Sequence, residues 1–205
     1  MLRFAMLALF ALAVTALAAP EQALSGRGDD GVSSARRSAV ERRYDRARSY
    51  FTDLPVVTQN GETLRFFSDL LRDKVVVATL FYSECTSLCP DTNRKLAGLQ
   101  NLLGERQGTD IILLSVSIDP ETDTPDVLKA YAGSLDARAG WYFVTGDAKN
   151  LETIAARLGH QDDDIDLRDA RIMAGSVKQA RWKLFPPDAA EAEVAGYLLE
   201  LASDS

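Results

Sequence analysis

The chain has 205 residues, 46% of them hydrophobic, and its 30 acidic and 23 basic side chains give a formal net charge of −7. That length suits one domain with an N-terminal extension, and an acidic domain gains nothing from counterion release, which excludes nucleic acid as the natural partner. Two cysteines are too few to frame a fold of this size, so the core must rest on apolar burial and the pair is free for other work.

The first residues, MLRFAMLALFALAVTALAA, carry one charge, Arg3, then an apolar run from Phe4 to Ala19. Ala16-Leu17-Ala18 supplies a small-x-small cleavage pattern, so residues 1–19 read as a secretory signal peptide. Export to a periplasmic or other extracytoplasmic, oxidising compartment is the expectation. The run is shorter than the ~20 residues of a membrane span. Membrane anchoring by an uncleaved segment is the alternative. No cysteine stands at the cleavage site to carry a lipid.

Residues 20–50 read as a flexible, Arg-rich extension. PEQALSGRGDDGVSSA is small and polar. ARRSAVERRYDRARSY shows no clear apolar face, and is read as either an exposed helix or a solvated charge run. The folded domain is expected over residues 51–205. LPVVTQNGETLRF reads as a hairpin with a type I′ turn at Asn60-Gly61. SDLLRD suggests one or two helical turns, and KVVVATLFY a strand covered on both faces. A helix from Pro90 to Gly104 buries Leu96, Leu99 and Leu103. DIILLSVSI is a second central strand. TDTPDVLKAYAGSL is a helix capped by Thr124. GWYFVTG is a third strand, followed by a helix that Gly159 closes. ARIMAGS and ARWKLF are expected to pair antiparallel, and DAAEAEVAGYLLELA to form the last helix. Strands alternating with helices imply an α/β fold with a mixed sheet flanked by helices and an N-terminal hairpin.

Both cysteines, Cys85 and Cys89, fall in FYSECTSLCP, between the first long strand and its helix. That junction is where a thioredoxin-like fold keeps its chemistry. A structural disulfide here would close a loop of about five residues and add only about 2 kcal/mol. A helix N-terminus favours thiolate over thiol, the form that attacks disulfides and binds soft metals. Two thiolates suit Cu(I), whereas zinc wants four ligands. Redox couple, metal site and plain bridge all remain open on the residues alone.

FYSECTSLCP, followed by SVSIDPETDTPDVLKAYA and GWYFVTG, resembles the SCO/SenC family. Cys85, Cys89, Pro90, Ser117, Asp119, Pro120, Asp123, Thr124, Pro125, Gly140 and Trp141 match its pattern in order. The resemblance implies a thioredoxin-like fold and assembly of the copper centre of a respiratory oxidase. It implies two roles for Cys85 and Cys89: copper ligands, and thiols that reduce or exchange a disulfide. The implied partner is a respiratory oxidase subunit or another copper or thiol protein. The family's third copper ligand is a histidine before a late strand. The chain's one histidine, His160, comes earlier, and DLRDARIMAGS stands where the ligand is expected, offering Arg168, Asp169 and Gly175, none of them a good copper ligand. His160 from a shifted loop, two thiolates alone or with Met173, and a dithiol without copper are the alternatives. DDDID at 162–166 lacks the spacing of a calcium loop and reads as solvated. DPETDTP is read as structural, shaping the rim of the site. The contrasting reading is a thioredoxin-like binding domain without metal, in which Cys85–Cys89 is a permanent disulfide.

Overall fold

The computed structural model describes residues 27–85, 89–159 and 171–203, with side chains from Arg36 onward except at Cys89 and Pro90. The signal segment, His160 and the acidic run at 162–166 lie outside these residues. The chain divides into two compact units, Met1–Arg36 and Arg37–Ser205. Of the first unit, only the opening of helix α1 (Arg27–Phe51) is described.

The second unit is built on a seven-stranded sheet in the order β2-β1-β5-β4-β3-β6-β7. Its centre is three parallel strands, β3 (Val75–Phe81), β4 (Ile111–Ser117) and β5 (Trp141–Thr145). Every residue of β3 and β4 is buried, because helices cover both faces. On one face lie α2 (Cys89–Leu103), α3 (Pro125–Ser134) and α5 (Glu191–Ser203). They pack Leu96, Leu99, Leu128 and Leu198 on Val77, Leu113 and Phe143. On the other lie the end of α1, a π-type turn at Phe66–Leu71 and α4 (Ala148–Arg157). These bury Tyr44, Phe67, Leu70 and Ile154 on Val76, Leu114 and Val144. The expected antiparallel pair is β6 (Ile172–Ser176) with β7 (Arg181–Phe185), added to the β3 edge.

The hairpin forms from β1 (Pro55–Thr58) and β2 (Thr63–Arg65), but its turn is not type I′. In the connection only Gly61 has positive φ, +79°. Gly61 N–H donates to Thr58 O (2.9 Å) and Thr58 N–H to Glu62 O (2.9 Å), a type I turn followed by a left-handed glycine. The Thr58 hydroxyl accepts from the backbone N–H groups of Asn60 (3.2 Å) and Glu62 (3.3 Å) and stabilises this wider loop.

The Arg-rich segment is helical, and its last two turns join the core. Tyr44 and Phe51 are buried and Ala47 is packed beside them, an i, i+3, i+7 set. Thr52 ends the helix at φ 68°, a conformation costly for a β-branched residue. Asp53 holds the end in place: it accepts from Ser68 N–H and Oγ (2.9 Å each) and pairs with Arg48 at 2.8 Å.

Candidate functional site

β3 and β4 run side by side in register, Phe81 opposite Ser117, so their C-terminal ends open at one edge. In parallel α/β sheets that edge is where ligands and chemistry collect. Four residues past β3, Cys85 is 5% exposed and belongs to the cluster that contains Phe81 and Leu96. It is disulfide-bonded, and no cysteine among the described residues is free. Cys89 is the first residue of α2. The helix that follows opens with Pro90 and Asp91, a proline without the N–H a first turn cannot use and a carboxylate facing the positive end of the dipole.

Two polar networks position this junction. The first is centred on Asp123, which is completely buried. Its carboxylate accepts from Ser83 N–H at 3.1 and 3.3 Å and from Ser117 Oγ at 2.5 Å. Ser117 Oγ in turn accepts from Asp119 N–H at 3.0 Å. One carboxylate thus ties the segment leading to Cys85 to the loop after β4, and a buried charge of this kind is tolerated because it is hydrogen-bonded. DPETDTP was expected to be structural, and it does shape the rim; Asp119 and Asp123 add a direct link to the cysteine loop. Thr124 caps α3 as expected, accepting from Val127 N–H at 3.4 Å.

The second network lies beneath α2. Trp141 Nε1–H donates to Ser115 Oγ (3.0 Å), Ser115 Oγ donates to Asn93 Oδ1 (3.0 Å), and Asn93 Nδ2–H donates to Tyr131 OH (3.2 Å). The Tyr131 ring stacks on Phe81 at 5.3 Å. Asn93 is four residues beyond Cys89, about one turn along the helix. The first turn of α2 is therefore pinned to β4, β5 and α3. Gly140, just before Trp141, has φ +86°, and a Cβ there would lie 2.3 Å from Gly108 N, so only glycine fits.

The other candidates separate. Met173 is half-buried on the opposite sheet face from Cys85, packed with Trp182 against the core, which removes it as a ligand. Gly175 pairs with Val76, and a Cβ on it would meet Arg181 O at 2.4 Å. His160, Arg168 and Asp169 lie outside the described residues. Among the described residues no group of three or more His, Cys, Asp or Glu is arranged to hold a metal ion. Among the described residues the soft donor at this strand edge is the Cys85 sulfur, a donor type that suits a soft monovalent ion. Asn93, Ser115 and Tyr131 were missed by the sequence reading. Ser115 and Ser117 carried a signal: two hydroxyls at alternate positions of a strand that is otherwise apolar share one face and need partners.

Residues 45–171 match the SCO1/SenC family, and the chain belongs to that family. A SCO2-like protein of Rickettsia typhi is 29% identical over 116 residues, 53% of this chain and 55% of its own length. The chain thus spans about half the length of the curated relatives it matches. Among solved structures, yeast Sco1 with copper bound superimposes with a TM-score of 0.60 at 19% identity, over 74% of this chain and 90% of that one. BsSco, a member of the Sco family of cytochrome c oxidase assembly proteins in which a disulfide switch was identified, gives 0.62 at 19% identity, over 74% and 92%. These likenesses establish the thioredoxin-like fold.

Proposed function

We propose that the protein is an exported assembly factor whose Cys85–Cys89 pair cycles between disulfide and dithiol, and in the dithiol state carries Cu(I) as cargo to the copper centre of a respiratory oxidase. One observation carries this reading. Cys85 is a disulfide-bonded cysteine at the mouth of the parallel strands, on a segment tied down by a buried carboxylate. Membership of the family and the copper-bound yeast relative support it.

As a reductant, one thiolate of the pair attacks a client disulfide and releases one client thiolate. The second thiolate then displaces the client from the mixed disulfide. The client gains two electrons and two protons, and the pair is left oxidised. As a carrier, the reduced pair supplies two thiolates to Cu(I), with His160 proposed as a third ligand. The partner is an oxidase subunit or another copper or thiol protein. Residues 1–19 support export, with the uncleaved segment as a membrane anchor in the alternative.

The test is Cu(I) titration of the reduced chain against a competing chelator, repeated with His160→Ala. One-to-one binding that collapses in the variant assigns His160 as a ligand. Binding indifferent to it leaves a two-thiolate site, and no binding sinks the copper role. A second reading, a permanent bridge, draws on the 5% exposure of Cys85. Reduction potential separates the two, because a structural disulfide lies below about −300 mV and a working one above. Cys89→Ser should abolish client reduction under the first reading, and under the second only lower stability by about 2 kcal/mol.

A further inference from the structure

The sheet face opposite Cys85 holds a groove of about 600 Å³ between α1 and the β6–β7 end of the sheet. Its floor is Phe51, Met173 and Trp182, with the Phe51 and Trp182 rings 4.8 Å apart. Tyr50 stands at its edge, 52% exposed and edge-on to Phe51 at 4.9 Å. Arg43 and Arg46 form its rim, and no carboxylate is among the described residues that line it. Arg43 donates one N–H to Lys178 O, which leaves a five-donor guanidinium with donors to spare. Arg157 lies over the Tyr50 ring at 5.6 Å and adds a third cation beside the groove.

Two features of this surface need a partner. The chain is acidic overall, yet from Arg37 to Phe51 α1 has five arginines against two carboxylates. Positive charge has been concentrated where an aromatic floor is left open. Arg, Tyr, Trp, Phe and Met are also the residue types enriched at the buried centres of protein interfaces, where carboxylates and lysines are depleted.

The geometry points to this groove as a docking site for an acidic segment of a partner protein, one that seats a large apolar side chain on Phe51, Met173 and Trp182 and sets carboxylates against Arg43 and Arg46. Guanidinium–carboxylate pairs orient the segment through bidentate hydrogen bonds, and the apolar anchor supplies most of the affinity. The site is independent of the cysteine chemistry and lies on the other side of the sheet. A client held here remains bound while the thiol edge is free.

The experiment is fluorescence anisotropy of a labelled acidic peptide, acetyl-EDLFDE-amide, titrated with the full chain. Two control peptides accompany it: a basic one with the same Leu-Phe centre and an acidic one with Ser-Ser in its place. The expected result is saturable binding of the first peptide only, weakened by salt. Affinity should fall about tenfold or more in Arg43→Ser/Arg46→Ser, and again in Tyr50→Ala. Both sites are on the surface, and unchanged thermal melts confirm that the variants fold. Cys89→Ser should bind like the parent chain. Equal binding of the control peptides, no saturable binding, or indifference to both variants would overturn the inference. So would binding of soluble dihexanoylphosphatidylglycerol with no binding of the acidic peptide, which would assign the groove to a lipid.

Discussion

Asp123 controls more of the site than its place in a loop suggests. Its carboxylate is the shared acceptor for Ser83 N–H and Ser117 Oγ, with no exposure to water. Asp123→Asn replaces one acceptor oxygen with a donor, so a donor must face a donor or one of the two groups goes unpaired. We expect a loss of about 1–3 kcal/mol in urea unfolding, together with a changed reduction potential of the cysteine pair, which a purely remote defect would not produce. Gly140 makes the opposite kind of demand. Gly140→Ala has to place a Cβ 2.3 Å from Gly108 N at positive φ. A cost of about 2 kcal/mol or more in the same measurement is the expected outcome. The Gly-Trp pair that helped to mark the family is thus a backbone crossing followed by an indole that donates to Ser115.

At the level of elements, the end of α1 is where stability depends on pH. Burial pushes the Asp53 carboxyl up, but the hydrogen bonds from Ser68 and the Arg48 guanidinium outweigh it, and the net shift is downward. A carboxyl lowered in the fold stabilises it above the unfolded value of about 3.9, and that contribution is lost as pH falls through the lower folded value. The melting temperature of the parent chain should therefore drop more steeply below pH 4 than that of Asp53→Asn. Tyr44 has the opposite sign. Burial, then its hydrogen bond to Asp73 at 2.9 Å, raises its hydroxyl to about 12. Its contribution is complete below the unfolded value of about 10 and is lost as pH rises through 12. Absorbance titration at alkaline pH should show one late tyrosine, absent in Tyr44→Phe. These anchors also explain why the Arg-rich segment was hard to read. Its buried set is only Tyr44, Ala47 and Phe51, too sparse to stand out among arginines until the surface it meets is known.

At the largest scale, the unit from Arg37 to Ser205 is a sheet with two different faces. One carries the cysteine edge and the Asn93–Ser115–Trp141 network; the other carries the groove under α1. The compact unit begins at Arg37, so a chain starting at Phe51 loses Tyr44 and the Arg48–Asp53 pair. It should be less stable than one starting at Arg37 by about 2–4 kcal/mol in denaturant unfolding, chiefly through the cavity left by Tyr44. The order of elements was legible in the sequence because β3 and β4 are continuous apolar runs and each helix has its cap or stripe. The hairpin turn was misread because Asn-Gly marks a turn but does not select its type. The Thr58 hydroxyl, two and four residues away, made that choice.

The sequence by itself determined the fold class, the family and the cysteine junction. All three depend on local pattern: period-2 and period-3.6 burial, capping residues, and a motif whose spacing survives without knowledge of its neighbours. Only the tertiary structure decided that Asp123 reaches back to Ser83, that Asn93, Ser115, Trp141 and Tyr131 form one chain of hydrogen bonds, and that Met173 lies on the sheet face opposite Cys85. These contacts join residues 22 to 40 positions apart, or depend on which face of a strand a side chain takes. Spacing along a chain carries no record of either until the strands have paired and their register has set each side chain on one face of the sheet.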